Sequence, residues 1–354
     1  MLSRGGPALL LLSTALLAQD SAPEALIEAG HWKRLRASLE ASLPVASEAR
    51  AAYLMSRVRM AFGDLEGALP LAEKAAAAEP RSSQYRLQLA RVLGAQAQRA
   101  GMFKAMGLAR RFRKEAEEAA SLDPRNVDAR LALIDFHLVA PGIVGGDRQK
   151  TDALAEEIFK VDASRGWLAR ATVLGREKKS DVARLESCYL KAVEADPAAY
   201  NARLSLASFY SREDLKRYDL VEKRAREAAA IDPGRVGAHA MLAFACAKQQ
   251  RFADLETVLA AAETSVPDNL TPYYTAGRTL VVDGLEPLRA ERYLRKYVGQ
   301  EPEGFAPRLA PAHWRLGLAL EKLGRKQEAI REIAEAVRLD PTLEPAKKDL
   351  KRMK

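Results

Sequence analysis

A proline that follows an acidic residue at regular intervals is the feature that most constrains this chain. Glu79-Pro80, Asp123-Pro124, Asp196-Pro197, Asp232-Pro233 and Asp340-Pro341 share the pattern, and Pro267 and Pro302 fall in the same rhythm. Successive spacings are 44, 73, 36, 34, 35 and 39 residues, and the longest divides into 39 and 34 where Asp162-Ala163 stands in for a missing acidic-Pro step. Proline lacks an N–H and clashes with the preceding turn, so each one marks a helix end. A stop roughly every 34 residues leaves room for two ordinary helices and their turns, repeated along the chain. Such a unit cannot bury its apolar face alone and has to stack on its neighbours. Abundant alanine and an aromatic content of only 6% point the same way, to helices and away from strands.

The last unit shows the chemistry most clearly. Its first helix, PAHWRLGLALEKLG, places Pro311 in the first turn and Leu316, Leu320 and Leu323 on one face, with Gly324 at the end. Its second, KQEAIREIAEAVRLDP, carries Ile330, Ile333 and Val337 as an apolar stripe and is halted by Pro341. Gly317 and Ala329 are small where the two helices must approach. The run Ala312, Leu316, Gly317, Gly324, Ala329, Ile333, Ala336, Pro341 resembles the consensus of the tetratricopeptide repeat (TPR) family. The unit ending at Pro267 follows with Ala238, Leu242, Ala243, Leu259 and Ala262, and the unit ending at Pro80 with Gly63, Ala68, Ala72 and Ala75. The unit ending at Pro233 contributes Ala202, Leu206, Ala207 and Tyr210, whereas the unit ending at Pro197 departs from the pattern with Thr172 and Val173.

The fold class expected is therefore all-α, a TPR-like α-solenoid in which antiparallel helix pairs stack into a superhelix. Its repeats cover 49–341, a capping helix pair broken at Gly30 occupies 19–48, and a polar capping helix occupies 342–354. Two units carry insertions. About ten extra residues before Pro124 are expected to lengthen one helix through LQLARVLGAQAQRAGMFKAMG, and about five before Ala163 form the loop APGIVGGDRQ.

The N-terminus reads as an address. Arg4 precedes an apolar run from Ala8 to Ala18, and polar Gln19 and Asp20 follow, the layout of a cleavable secretory signal at 1–18. The run is short of the roughly 20 residues a membrane-spanning helix needs, so no stable membrane anchor is expected. Cys188 and Cys246 lie in units separated by a whole repeat, and both should be free thiols.

No enzyme motif emerges. The loop Pro141 to Asp147 lacks the Gly-Lys-Ser/Thr of a phosphate-binding loop and is expected to be an inter-helix turn. Gly142, Gly145 and Gly146 would supply left-handed conformations there, Ile143 and Val144 would tuck against the stack, and Asp147 would cap the next helix. The same loop, with the leader, resembles bacterial periplasmic TPR-like proteins such as the T-component linked to TRAP transporters. His31, His137, His239 and His313 belong to different units and form no metal-binding pair, so no metal or cofactor is expected. Clusters at Arg110, Arg111, Arg113, Lys114, at Lys216, Arg217, Lys223, Arg224, Arg226 and at Lys347, Lys348, Lys351, Arg352, Lys354 lack the interleaved aromatics of a nucleic-acid surface.

What the TPR resemblance implies about function is a concave groove lined by the first helix of each unit. Residue by residue, that places Arg170 and Leu174, then Leu204, Ser208 and Arg212, then Ala240, Phe244 and Lys248 along it. Tyr274 and Arg278 follow, and then Trp314, Leu318 and Lys322. The groove asparagines of the family's carboxylate clamp are absent. Aromatics and cations on one wall, with a formal net charge of +9, suit a protein or peptide partner of acidic character. The reading that follows is an exported, periplasmic or secreted, non-enzymatic scaffold; the alternative is a solute-binding or transport accessory of the T-component type, which an enclosed apolar cavity would distinguish. N-terminal sequencing of exported material should find a first residue between about 16 and 23. An intact Met1 in a cytoplasmic fraction would contradict export.

Overall fold

The structure, a computed structural model, describes residues 23–41, 47–177 and 181–354, so the leader expected at 1–18 lies outside the described residues. Those residues form nineteen α-helices and one 3-10 turn, with no strand among them. The first pair is α1 (Pro23–Ala29) and α2 (Trp32–Ala41), separated by Gly30 at φ +81°. The stack then runs through α3 (Glu48–Ala61) and α4 (Leu65–Ala78), α5 (Ser83–Arg99) and α6 (Met102–Leu122), and α7 (Val127–Val139) and α8 (Lys150–Phe159). It continues with α9 (Ala163–Leu174) and α10 (Val182–Ala195), α11 (Tyr200–Tyr210) and α12 (Tyr218–Ile231), and α13 (Val236–Lys248) and α14 (Phe252–Ser265). The last pairs are α15 (Thr271–Asp283) with α16 (Pro287–Val298) and α17 (Leu309–Lys322) with α18 (Lys326–Leu339), followed by α19 (Glu344–Met353).

Six of the helix starts have a side-chain cap. The side chains of Ser47, Asp64, Ser82, Asn126, Asp162 and Asp181 accept hydrogen bonds from backbone N–H groups three residues on, which satisfies donors the first helical turn leaves open. Asp162 therefore performs the capping step although its proline is missing. Turns within pairs use left-handed residues, Gly63 at φ +82° and Gly324 at φ +76°, but Gln250 takes the same role at φ +57°.

Small residues set the distance between helices. A Cβ on Gly317 would sit 2.4 Å from Ile333 Cγ1, and one on Gly277 would sit 2.7 Å from Leu294 Cγ. Ala68, Ala72, Ala202, Ala243, Ala312 and Ala329 are wholly buried at equivalent contacts. Around them pack Leu54, Leu93, Ile134, Leu206 and Leu280, with Tyr293 and Tyr297 the largest fully buried side chains. Both cysteines are free and buried.

The inserted residues before Pro124 do not extend one helix. Gly101 starts a new helix in extended backbone, so the extra length is shared between α5, at 17 residues, and α6, at 21. In the loop before α8, Val144 is buried as expected, but Ile143 is exposed because the 3-10 turn Gly142–Val144 directs the two side chains apart. Only Gly145 of the three glycines is left-handed, at φ +95°. Asp147 accepts from Gln149 N, two residues on, and makes a turn ahead of α8 instead of capping it.

The stack also curls until its first pair meets a later part of the chain. The Arg36 guanidinium holds both carboxylate oxygens of Glu301, at 3.0 and 2.7 Å, and Arg34 pairs with Asp268. Lys33 N donates to Glu303 Oε1 at 2.8 Å. Trp32 lies over Gly304 and edge-on to Phe305, with ring centroids 5.3 Å apart, and Phe305 N donates to Ala61 O at 2.8 Å. Exposed ion pairs contribute little each, so the burial of Trp32 stabilises this junction more than they do.

Gln250 offers a clean test of the turn chemistry. A left-handed conformation costs an L-residue with a side chain about 1 kcal/mol that glycine escapes. Gln250→Gly should therefore raise unfolding stability by about 0.5–1 kcal/mol, read by urea titration with unchanged cooperativity. A loss of stability would mean that the turn is held by the glutamine side chain.

Candidate functional site

The junction places the segment 299–308, which links α16 to α17, opposite residues of α3, α5, α6 and α7. Between them lies a cavity of about 1280 Å³ that opens to solvent. Its floor is apolar: Met60 from α3, Met106 and Phe112 from α6, and Leu131 and Phe136 from α7. Phe112 stacks on Phe136 with centroids 5.5 Å apart, and Gly94 makes room for it, since a Cβ there would meet the ring at 2.9 Å. Met102, Val139, Phe305 and Leu339 line the same space while remaining exposed, so apolar surface faces solvent here.

The charged lining is of two kinds. On one wall Asp128 is clamped by Arg91, at 2.7 Å, and by Arg165. Burial pushes the Asp128 carboxyl up, but the two guanidinia outweigh it and leave it below the usual carboxylate range. At the rim, Arg99 and Arg308 converge without an ion pair among the described residues. A Cβ on Gly63 would lie 2.8 Å from Arg308 Nη2 and 3.7 Å from Arg99 Nη2, so both guanidinia face this glycine. Arg99 Nη1 donates to Gly63 O at 3.0 Å. Desolvation, and after it the Arg308 charge, pushes the Arg99 guanidinium below its ordinary value. Glu303, at the junction edge, is buried; burial raises its carboxyl, and the backbone N–H groups of Gly304 and Lys33 partly offset this through Oε1.

None of the groove residues inferred from the repeat pattern lines this cavity. Tyr274 is a core residue: it is 8% exposed, with its ring 5.1 Å from that of Tyr297, because α16 covers it. Trp314 is half-buried, and its Nε1 donates to Asp349 at 2.8 Å across to α19. The continuous wall of Tyr274, Arg278 and Trp314 is thus absent, and Arg278 and Lys322 are exposed on their own. Phe244 packs edge-on against Tyr218 at 5.8 Å, Lys248 pairs with Asp283 at 2.8 Å, and Arg212 pairs with Asp214 at 2.7 Å beside exposed Ser208. Arg170 pairs with Glu156 and lies over Phe159 and Trp167 in a smaller cleft of about 790 Å³. In the loop of Gly142, Gly145, Gly146 and Asp147, the Arg113 guanidinium lies close over Gly145, and Asp147 N donates to His137 Nδ1 at 3.2 Å.

A stack of helix pairs brought close by small residues, with no strand among the described residues, is a TPR-type α-solenoid. One unit of the stack, residues 310–343, matches the family model described as tetratricopeptide repeat. The crystal structure of yeast Tom70 is similar at 14% identity and a TM-score of 0.51, covering 94% of this chain and 86% of that one, which shows the fold. The TPR protein TTC0263 of Thermus thermophilus has 19% identity and a TM-score of 0.43, covering 54% of this chain and 96% of that chain. A tetratricopeptide repeat protein of Parabacteroides merdae has 15% identity and a TM-score of 0.43, covering 87% and 99%. No curated protein matches in sequence.

If the junction forms the cavity, disturbing it should act on two distant segments at once. Gly304→Leu would drive a side chain into Trp32, since even a Cβ would lie 2.6 Å from its Cγ. Hydrogen exchange should rise together in residues 32–41 and 299–308 with 130–200 unchanged. Acceleration at 299–308 alone would separate the cavity from the junction.

Proposed function

We propose that the protein is an exported, non-enzymatic scaffold that receives a segment of a partner protein in the cavity between α3–α7 and residues 299–308. The fold supports protein partners in general, because stacked helix pairs present long concave surfaces. The observation that carries the reading is the coincidence of solvent-facing apolar side chains with two converging guanidinia in one concave space. Such a site suits a segment that carries both apolar side chains and a carboxylate. The leader pattern at 1–18 supports export. Two of the histidines are held by polar contacts within the fold: His239 Nε2 lies 2.9 Å from Pro233 O and His313 Nδ1 lies 2.7 Å from Glu332. A metal-supporting group of His, Cys, Asp or Glu does not assemble among the described residues.

Phage-displayed random peptides selected on the purified protein provide the test. Enriched sequences should combine aliphatic or aromatic residues with Asp or Glu. Met106→Asp and Arg308→Ala should each weaken the selected peptides by about tenfold or more while leaving the melting temperature nearly unchanged. Selected peptides that bind both variants with unaltered affinity would place the partner surface elsewhere.

A further inference from the structure

The two interruptions of the repeat period are separate in sequence and meet in space. Arg110 Nη2, on α6, donates to Ile143 O at 3.5 Å, and Gly145 leaves room for the Arg113 guanidinium. The paired helices α5 and α6 have 17 and 21 residues, where other repeat helices have between 10 and 14. At their shared end, at the end of α7 and on the turn that follows it stand the four most exposed large hydrophobic side chains among the described residues: Phe103 at 89%, Met102 at 76%, Ile143 at 71% and Val139 at 70%. Met102 and Val139 reach back to the cavity rim, whereas Phe103 and Ile143 do not line it.

The stretch of chain that forms the shared end of α5 and α6 carries charge of one sign. Between Arg99 and Lys114 the chain carries Arg99, Lys104, Arg110, Arg111, Arg113 and Lys114 and no acidic residue. Arg111 pairs with Glu73 and Arg113 with Glu117, but Lys104, Arg110 and Lys114 have no ion pair among the described residues. Asp147, the carboxylate of the neighbouring turn, accepts from its own backbone at Gln149. Arg110 follows Phe103 by two helical turns, roughly 10 Å along the axis, which is about the depth from acyl boundary to headgroup.

We infer that this double-insertion tip docks the protein reversibly on an anionic bilayer surface, with Phe103, Met102 and Ile143 entering the interface and Lys104 and Arg110 meeting lipid phosphates. A convex tip bare on several sides needs a preformed socket on a rigid protein, whereas a fluid interface closes around it. An apolar insertion together with a cationic patch supplies the two signals that stable but reversible membrane association requires. This is peripheral contact, not a span: no helix among the described residues is long and apolar enough to cross a membrane.

The test is co-sedimentation of the full chain with vesicles of phosphatidylcholine containing roughly one-third phosphatidylglycerol, against pure phosphatidylcholine. Binding should be about tenfold or more stronger on the anionic vesicles, and raising salt to about 0.5 M should weaken it. Phe103→Asp, and separately Lys104→Glu with Arg110→Glu, should each reduce it about tenfold, with unchanged circular dichroism melting because these side chains are exposed. A photoactivatable lipid should label residues 99–106. Equal binding by wild type and Phe103→Asp, equal binding to neutral vesicles, no binding at all, or labelling confined to residues 8–18 would each overturn the inference.

Discussion

The seating of α2 against residues 268 and 301–305 is the contact on which the functional geometry depends. Without it, the segment 299–308 would have no reason to face α3, α5 and α7, and the cavity would lose a wall. The contact joins residues about 270 apart in sequence, as between Lys33 and Glu303. Loop-closure entropy grows only slowly with length, so that separation costs little more than a shorter one. What it demands instead is accuracy, because every intervening helix pair has to turn by the right amount.

That accuracy comes from residues with almost no side chain. At Gly277 and Gly317 a single extra carbon would overlap the facing helix, and the buried alanines hold the other pairs comparably close. The angle between neighbouring pairs is then set by backbone approach, which varies little, and not by flexible side chains. The same economy explains how a chain with few aromatics keeps Tyr293 and Tyr297 for the fully buried positions near the junction end of the stack.

Much of this was legible in the residue order. The proline rhythm locates the pairs, and Ala312 to Pro341 carries enough of the repeat pattern to identify the unit. Three things were not legible. The break at Gly101 hides inside a run of strong helix formers, where propensity argues for continuity. Tyr274 occupies a position that faces the groove in the repeat pattern, but the neighbouring Tyr297 draws it into the core, and that pairing depends on how α16 lies across α15. The cavity is assembled from segments with no local relation, and its only sequence trace is that the step from Pro302 to Pro341 is 39 residues, leaving room for the linker that meets Trp32.

An open superhelix is a soft spring whose pitch changes when many small interfaces each yield slightly. Fastening Trp32 beneath Gly304 removes that freedom from the coil between them, because lengthening it anywhere requires the fastening to part. Helices α17, α18 and α19 follow the fastened point, so the fastening restrains the coil before it more directly than it restrains this end of the stack, a difference that no boundary in the repeat pattern marks.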